Sequence, residues 1–125
     1  MNWTIEFTPD FSREAKILSK RYKSFKDDLR EFKDSIIENP FQGVELYPGI
    51  RKIRMSITAK GKGKAGGARV ITLTFYVKEK EGTVVFLIIY DKSDAGTVDV
   101  KAVRRIVEDL GFDLNTMEQR GLLRQ

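Results

Sequence analysis

The spacing of apolar residues predicts one strand and then two helices at the start of the chain. Trp3–Phe7 alternates apolar and polar side chains, as a strand does, and Thr8-Pro9-Asp10 interrupts the alternation. Ser24 is the predicted N-cap of the second helix, and Asn39-Pro40 is predicted to end it, because the residue before a proline is pushed out of helical geometry. Each helix has one apolar stripe: Phe11, Ala15, Leu18 and Tyr22, then Phe25, Leu29, Phe32 and Ile36. The stripes predict a helix hairpin that covers one face of a sheet.

Three more strands are predicted between residues 50 and 92. Ile50–Thr58 alternates strictly, with basic residues on one face and apolar residues on the other. The segment KGKGKAGG, residues 60–67, predicts a mobile, cationic hairpin loop before the returning strand Arg69–Val77. Thr83–Lys92 contains VVFLIIY, which is apolar on both faces and predicts a central strand that is covered from both sides.

Arg69 does not fit this alternation simply. It alternates with Ile71 and Leu73, which would place it on an apolar face. Either it lies at the mouth of the strand, beyond the core, or a bulge near Gly66-Gly67 redirects it.

The remaining pattern predicts an α+β fold. A last helix begins at Asp94 or Thr97 and closes at Gly111. We expect a small, mostly antiparallel sheet of about four strands, with the N-terminal helix hairpin on one face and a C-terminal helix, and with the helices mainly on one side. The predicted domain covers residues 1–111, and residues 112–125 are assigned to a C-terminal tail.

Composition excludes several kinds of chemistry. The 125 residues include no cysteine and no histidine, which removes thiol nucleophiles, the usual general base and the commonest zinc ligands. We therefore expect no metal site and no cofactor. No apolar run approaches the roughly 20 residues of a membrane span, and the N-terminus lacks a signal-peptide layout, so the expected location is cytoplasmic, away from any membrane.

Charge is concentrated in one part of the chain. Residues 46–78 hold eight basic side chains and no acidic one, whereas the other residues hold 15 basic and 18 acidic side chains. Such clustering is typical of a surface that binds a polyanion, and RNA cleavage by the ribose 2′-hydroxyl is one reaction that a cationic cluster suits. Lys52 is a candidate base or acid, and Arg54 and Arg69 are candidate clamps on the phosphate oxygens. Composition alone leaves plain phosphate binding open. Further phosphate contacts are predicted for Arg51, Lys60, Lys62 and Lys64.

Four fragments, FTPDFSREAKILSKRY, GIRKIRM, KGKGKAGGARVI and IYDKSD, resemble the RelE/ParE superfamily of type II toxins, and most of all its RelE/HigB-like branch. The resemblance covers residues 3 to about 110. It implies a RelE-like fold and an endoribonuclease (mRNA interferase) that cuts mRNA on the ribosome without a metal ion. It also implies neutralisation by a cognate antitoxin, which we expect to be a small helix-turn-helix protein.

The resemblance also suggests site residues. The paired basic residues of the second strand fall on Lys52 and Arg54, and the arginine that opens the third strand falls on Arg69. The basic residue at the end of the fourth strand falls on Lys92, with Tyr90 nearby. Ser93 stands where some relatives have a second cation, so the acid that protonates the leaving group stays open. A gyrase-poisoning toxin of the ParE branch and a non-catalytic RNA-binding module are the alternatives.

Overall fold

The computed structural model describes residues 1–123, and these residues form one mixed sheet with helices on both of its faces. A short 3₁₀ turn at Thr58–Lys60 follows the third strand. The elements in chain order are β1 (Asn2–Phe7), α1 (Pro9–Arg21), α2 (Phe25–Glu38), β2 (Val44–Tyr47), β3 (Ile50–Met55), α3 (Gly63–Gly66), β4 (Ala68–Lys78), β5 (Glu81–Asp91), α4 (Val100–Asp109) and α5 (Leu114–Gln119).

The sheet has the strand order β1-β5-β4-β3-β2. β1 runs parallel to β5, and the other neighbours are antiparallel. The predicted α+β class and mostly antiparallel sheet are thus confirmed, but the sheet has five strands, one more than expected. The additional strand, β2, is only four residues long and lies between turn-forming glycine and proline residues, so its alternation is too short to recognise.

The α1–α2 hairpin covers one face of the sheet, as predicted. Phe11, Leu18, Phe25 and Phe32 pack on the central strands in a first core. Thr8 caps α1 by accepting the Phe11 N–H at 2.9 Å, and Pro9 follows at a position where its missing N–H is not needed. The predicted N-cap bond of Ser24 is wrong, because Ser24 has helical backbone angles and makes no side-chain cap bond.

The opposite face is covered by α4 and α5, so the expectation that helices lie mainly on one side is wrong. The second core includes Val103 and Val107 of α4, and α4 is capped by Asp99, not by Asp94 or Thr97. Leu114, Met117 and Leu123 are also buried in this core. The packing is therefore continuous past residue 111. The prediction that β5 is covered from both sides is confirmed, since its side chains alternate between the two cores.

Candidate functional site

A row of polar side chains crosses three strands on the face that α4 and α5 cover. In the register of the sheet, Arg54 of β3 pairs with Arg69 of β4, which pairs with Tyr90 of β5. Lys52 pairs with Ile71, a member of the second core. The second core thus occupies one end of this face, and basic residues occupy the other. Arg69 lies at the mouth of its strand, beyond the core, and the irregularities in the β4–β5 pairing lie elsewhere, between Ile71 and Thr72 and between Tyr76 and Lys78.

The basic end of this face is a groove of about 470 Å³, which we call the cationic groove. It brings together four of the five predicted catalytic residues and one predicted phosphate contact. No carboxylate lines it, and within residues 1–123 none of its cations forms a salt bridge. Its lining residues are Gln42, Gly43, Val44, Lys52, Arg54, Lys64, Arg69, Lys92 and Gly96.

Arg69 is fixed more firmly than a surface arginine. The residue is 6% exposed, and its guanidinium donates to the carbonyl oxygens of Lys64 at 3.2 Å, Ala65 at 2.9 Å and Ala68 at 3.1 Å. These acceptors are neutral, so they orient the guanidinium and leave its charge unbalanced. Arg54 directly opposite adds a like charge, an arrangement that is unfavourable until an anion binds between or beside the two.

Tyr90 supplies a neutral donor next to Arg69. Its hydroxyl is buried and has no hydrogen-bond partner among the described residues. Burial raises the pKa of Tyr90 above its usual value, although the nearby charge of Arg69 works against this increase. Tyr90 therefore stays protonated at neutral pH, and it can give a proton or a hydrogen bond but is not a base there.

The four residues predicted as additional phosphate contacts are placed in four different environments. Lys64 lines the groove, and Lys62 is exposed on the same loop. Arg51 points to the opposite face of β3, where it donates to the Phe41 carbonyl at 2.8 Å and pairs with Glu45 at 3.4 Å. Lys60 is turned away from the groove, with its side chain 6% exposed. The loop itself contains a 3₁₀ turn and α3, whereas an unstructured hairpin loop was expected.

Three of the positions that the sequence did not identify are informative, two in the lining of the groove and the third on the other face of the sheet. Gln42 and Gly43 line it from the connector before β2. Gly43 has a φ of +88°, and a Cβ there would lie 2.5 Å from the Lys52 carbonyl oxygen, so a side chain would push β3 away. Asp91 is the third, and the only signal for it was an acidic residue that directly follows an apolar strand.

Asp91 is a buried carboxylate on the far side of the sheet from the groove. It accepts hydrogen bonds from Lys60 and Tyr22, both at 2.5 Å, from the Ser93 N–H at 2.9 Å and from Arg21 at 3.2 Å. Burial alone would raise the pKa of Asp91, but the bonds from Lys60 and Tyr22 hold this pKa well below its usual range. Asp91 is thus ionised throughout the neutral range and joins α1, the loop and β5.

Two further kinds of feature are absent from the described residues. Across residues 1–123, no three acidic side chains gather closely enough to hold a metal ion. None of the helices in this region is sufficiently long and apolar to cross a membrane. No known protein family has a model that matches the chain. The cationic groove is the feature of the described residues that bears most directly on function.

Proposed function

We propose that this protein is a ribosome-dependent mRNA endonuclease with a RelE-like fold, the toxin of a type II toxin–antitoxin system. The single observation that carries the proposal is the cationic groove, where Lys52, Arg54, Lys64, Arg69 and Lys92 converge without a carboxylate. Such a groove favours a polyanion over a neutral or cationic ligand. The family-like fragments of the sequence supply the same residues, since GIRKIRM contributes two of the cations and KGKGKAGGARVI two more.

The proposed reaction breaks one phosphodiester bond without water. The ribose 2′-oxygen loses its proton and bonds to the adjacent phosphorus, and the bond from phosphorus to the 5′-oxygen breaks. The products are a 2′,3′-cyclic phosphate and a 5′-hydroxyl end. Negative charge accumulates on the two non-bridging oxygens during this step, so donors that are already oriented towards them lower the barrier.

The residues of the groove divide these tasks according to their chemistry. Arg69 and Arg54 present guanidinium groups, which fit phosphate oxygens in pairs and cannot lose a proton. We assign proton removal from the 2′-hydroxyl to Lys52, because β3 holds this lysine on the same face as Arg54. Lys92 lines the groove and can donate a proton to the departing 5′-oxygen. The protonated hydroxyl of Tyr90 is the second candidate, but it is buried next to Arg69 and would have to become accessible to the RNA first.

The same groove explains the proposed partners. A messenger RNA held on the ribosome presents its phosphates in a fixed geometry, and the exposed Lys62 adds charge at the rim for docking. An antitoxin with acidic or apolar side chains would neutralise or block the groove. Expression of the protein without that partner is then expected to arrest growth.

The proposal is tested by comparing wild-type protein with Arg69→Ala and Lys52→Ala in a translation extract. Loss of one oriented donor typically lowers the rate about 10²- to 10³-fold, which is the decrease in mRNA cleavage that we expect for Arg69→Ala. Loss of a general base lowers it about 10²- to 10⁴-fold, which is the decrease that we expect for Lys52→Ala. Arg30→Ala is the matched control. Arg30 is exposed on α2, so this substitution removes the same charge outside the groove. Cleavage by both variants at the wild-type rate would contradict the proposal.

Two other results would redirect the assignment. RNA binding that weakens steeply with salt, without any cleavage, would indicate a passive RNA-binding module. Breaks in DNA with intact mRNA would indicate a gyrase-poisoning toxin.

A further inference from the structure

The loop that follows the 3₁₀ turn carries Lys64 and the carbonyl oxygens that accept from Arg69. A buried ion pair attaches this loop to the fold, in addition to backbone hydrogen bonds such as that from the Lys92 N–H to the Gly67 carbonyl. Lys60, at the end of the 3₁₀ turn, donates to Asp91 at 2.5 Å, to the Ser93 hydroxyl at 3.0 Å and to the Gly67 carbonyl at 3.4 Å. The ammonium group therefore joins the beginning of the loop, its end and the end of β5. The side chains of Lys60 and Asp91 are 6% and 1% exposed, so this ion pair is largely shielded from solvent.

The positions of two groove residues, Arg69 and Lys92, depend on that attachment. The loop residues between Lys60 and Gly67 include Lys64 and Ala65, whose carbonyl oxygens accept hydrogen bonds from the Arg69 guanidinium. The N–H of Lys92 donates to the Gly67 carbonyl at 2.9 Å, and the Lys92 residue directly follows Asp91 in the chain. A shift of the loop would therefore move the acceptors of Arg69 and the backbone of Lys92 together.

The ion pair itself is not part of the groove. Asp91 pairs in the sheet with Ala68, a residue of the first core, and its carboxylate contacts Arg21, the last residue of α1, and Tyr22, the C-cap of that helix. Neither Asp91 nor Lys60 lines the groove. A glycine-rich segment has little intrinsic rigidity, yet chemistry on a phosphate requires side chains held to within about half an ångström. Some feature outside the groove has to supply that rigidity.

We propose that the Lys60–Asp91 ion pair is a positioning device that holds the loop and β5 so that Arg69 and Lys92 are aimed into the cationic groove. The inference rests on the proposed function, because it concerns how the same groove acquires its reactive geometry. Lys60 and Asp91 are positioning residues in this account, and neither contacts RNA.

The test compares Lys60→Met with Lys23→Met, two substitutions that remove the same charge. Lys23 is exposed just before α2 and does not line the groove, so its loss leaves both the attachment and the groove intact. A displacement of about an ångström can lower a rate by up to about 100-fold, and we expect kcat of Lys60→Met to fall about 10- to 100-fold while KM changes less than about threefold. Lys23→Met is expected to keep kcat within about twofold of the wild type. Lys60→Arg, which keeps the charge, should restore most of kcat.

A second measurement does not require any activity. Hydrogen exchange of the Arg69 side-chain N–H groups, followed by NMR, reports whether the loop carbonyls still hold the guanidinium. We expect this exchange to accelerate in Lys60→Met and to stay unchanged in Lys23→Met. A 2′-O-methyl RNA oligonucleotide, which cannot be cleaved by 2′-hydroxyl attack, measures binding separately and is expected to bind both variants with similar affinity.

The outcomes separate the two proposals. If Lys60→Met cleaves like the wild type and its Arg69 exchange is unchanged, the positioning role is refuted. If the wild type cleaves no RNA, the proposed function fails, and the exchange comparison still decides the positioning role. If Lys60→Met does not fold, Asp91→Asn replaces it, because asparagine keeps an acceptor for Lys60 and removes only the charge; unchanged exchange in that variant would refute the role.

Discussion

Replacing Asp91 by asparagine tests how strongly the buried carboxylate stabilises the fold. The substitution leaves the ammonium group of Lys60, on a side chain that is 6% exposed, without its opposite charge. Breaking a buried ion pair by removing one partner costs about 3–5 kcal/mol, and the retained amide oxygen places the expected loss near the lower value, about 3 kcal/mol at neutral pH. For a chain of this size that loss corresponds to a decrease in Tm of roughly 10–15 °C.

The loss of stability in Asp91→Asn is expected to depend on pH. The pKa of Asp91 is lowered in the folded protein, since the bonds from Lys60 and Tyr22 outweigh the opposing effect of burial. A carboxylate with a lowered pKa stabilises the fold above its unfolded pKa of about 3.9, and this contribution is lost as the pH falls further. The difference in unfolding free energy between wild type and Asp91→Asn is therefore expected to be constant from about pH 8 to 5 and to shrink below about pH 4.

Urea unfolding followed by circular dichroism at about pH 7, 5, 4 and 3 measures this difference directly. Asp94→Asn is the matched control, because Asp94 pairs with the same Arg21 at 2.9 Å but its side chain is 57% exposed. The control is expected to change stability by less than about 1 kcal/mol. The prediction is refuted if the difference in unfolding free energy between wild type and Asp91→Asn is as large at about pH 3 as at about pH 7. It is also refuted if there is no difference at neutral pH.

Three further predictions concern the loop, the groove and the C-terminal segment. Gly67→Ala should lower stability by about 2 kcal/mol or more and disturb the loop, because a Cβ there would lie 2.0 Å from the Met55 carbonyl oxygen; thermal unfolding measures this. Lys64→Ala should weaken RNA binding and lower its salt slope by about one, whereas exposed Lys62→Ala should change binding less; a titration at several salt concentrations compares them. Deletion of residues 112–125 removes three buried side chains worth about 1.5–3 kcal/mol each, so the shortened chain should lose cooperative unfolding.

Most of the sheet and both N-terminal helices were predictable because their patterns are local. The two stripes of α1 and α2 and the apolar run of β5 repeat over many residues, and each has one structural interpretation. The segment after residue 111 was not recognisable as part of the core. Its buried residues Leu114, Met117 and Leu123 are few and widely spaced, so they form no recognisable stripe. They are buried because they cover the second face of the sheet, which the local pattern does not show.

The residue types of the candidate site were predictable, but its position at the uncovered end of one sheet face was not. Alternation correctly placed Lys52 and Arg54 on one face of β3, yet it could not show that the helices leave one end of that face uncovered. The burial of Lys60 and its ion pair with Asp91 could not be predicted for a different reason. Its partner, Asp91, is 31 residues away, and a lysine in a glycine-rich segment has the same local pattern whether it is exposed or buried.

The most direct test of the cationic groove as an RNA-cleaving site is the chemistry of the RNA ends. Purified protein would be incubated with translating ribosomes, and the 3′ ends of the cut mRNA would be identified. We expect 2′,3′-cyclic phosphate ends from the wild type and an approximately 10²- to 10³-fold slower appearance of these ends with Arg69→Ala. Intact mRNA, or cleavage at an unchanged rate by Arg69→Ala, would contradict the account.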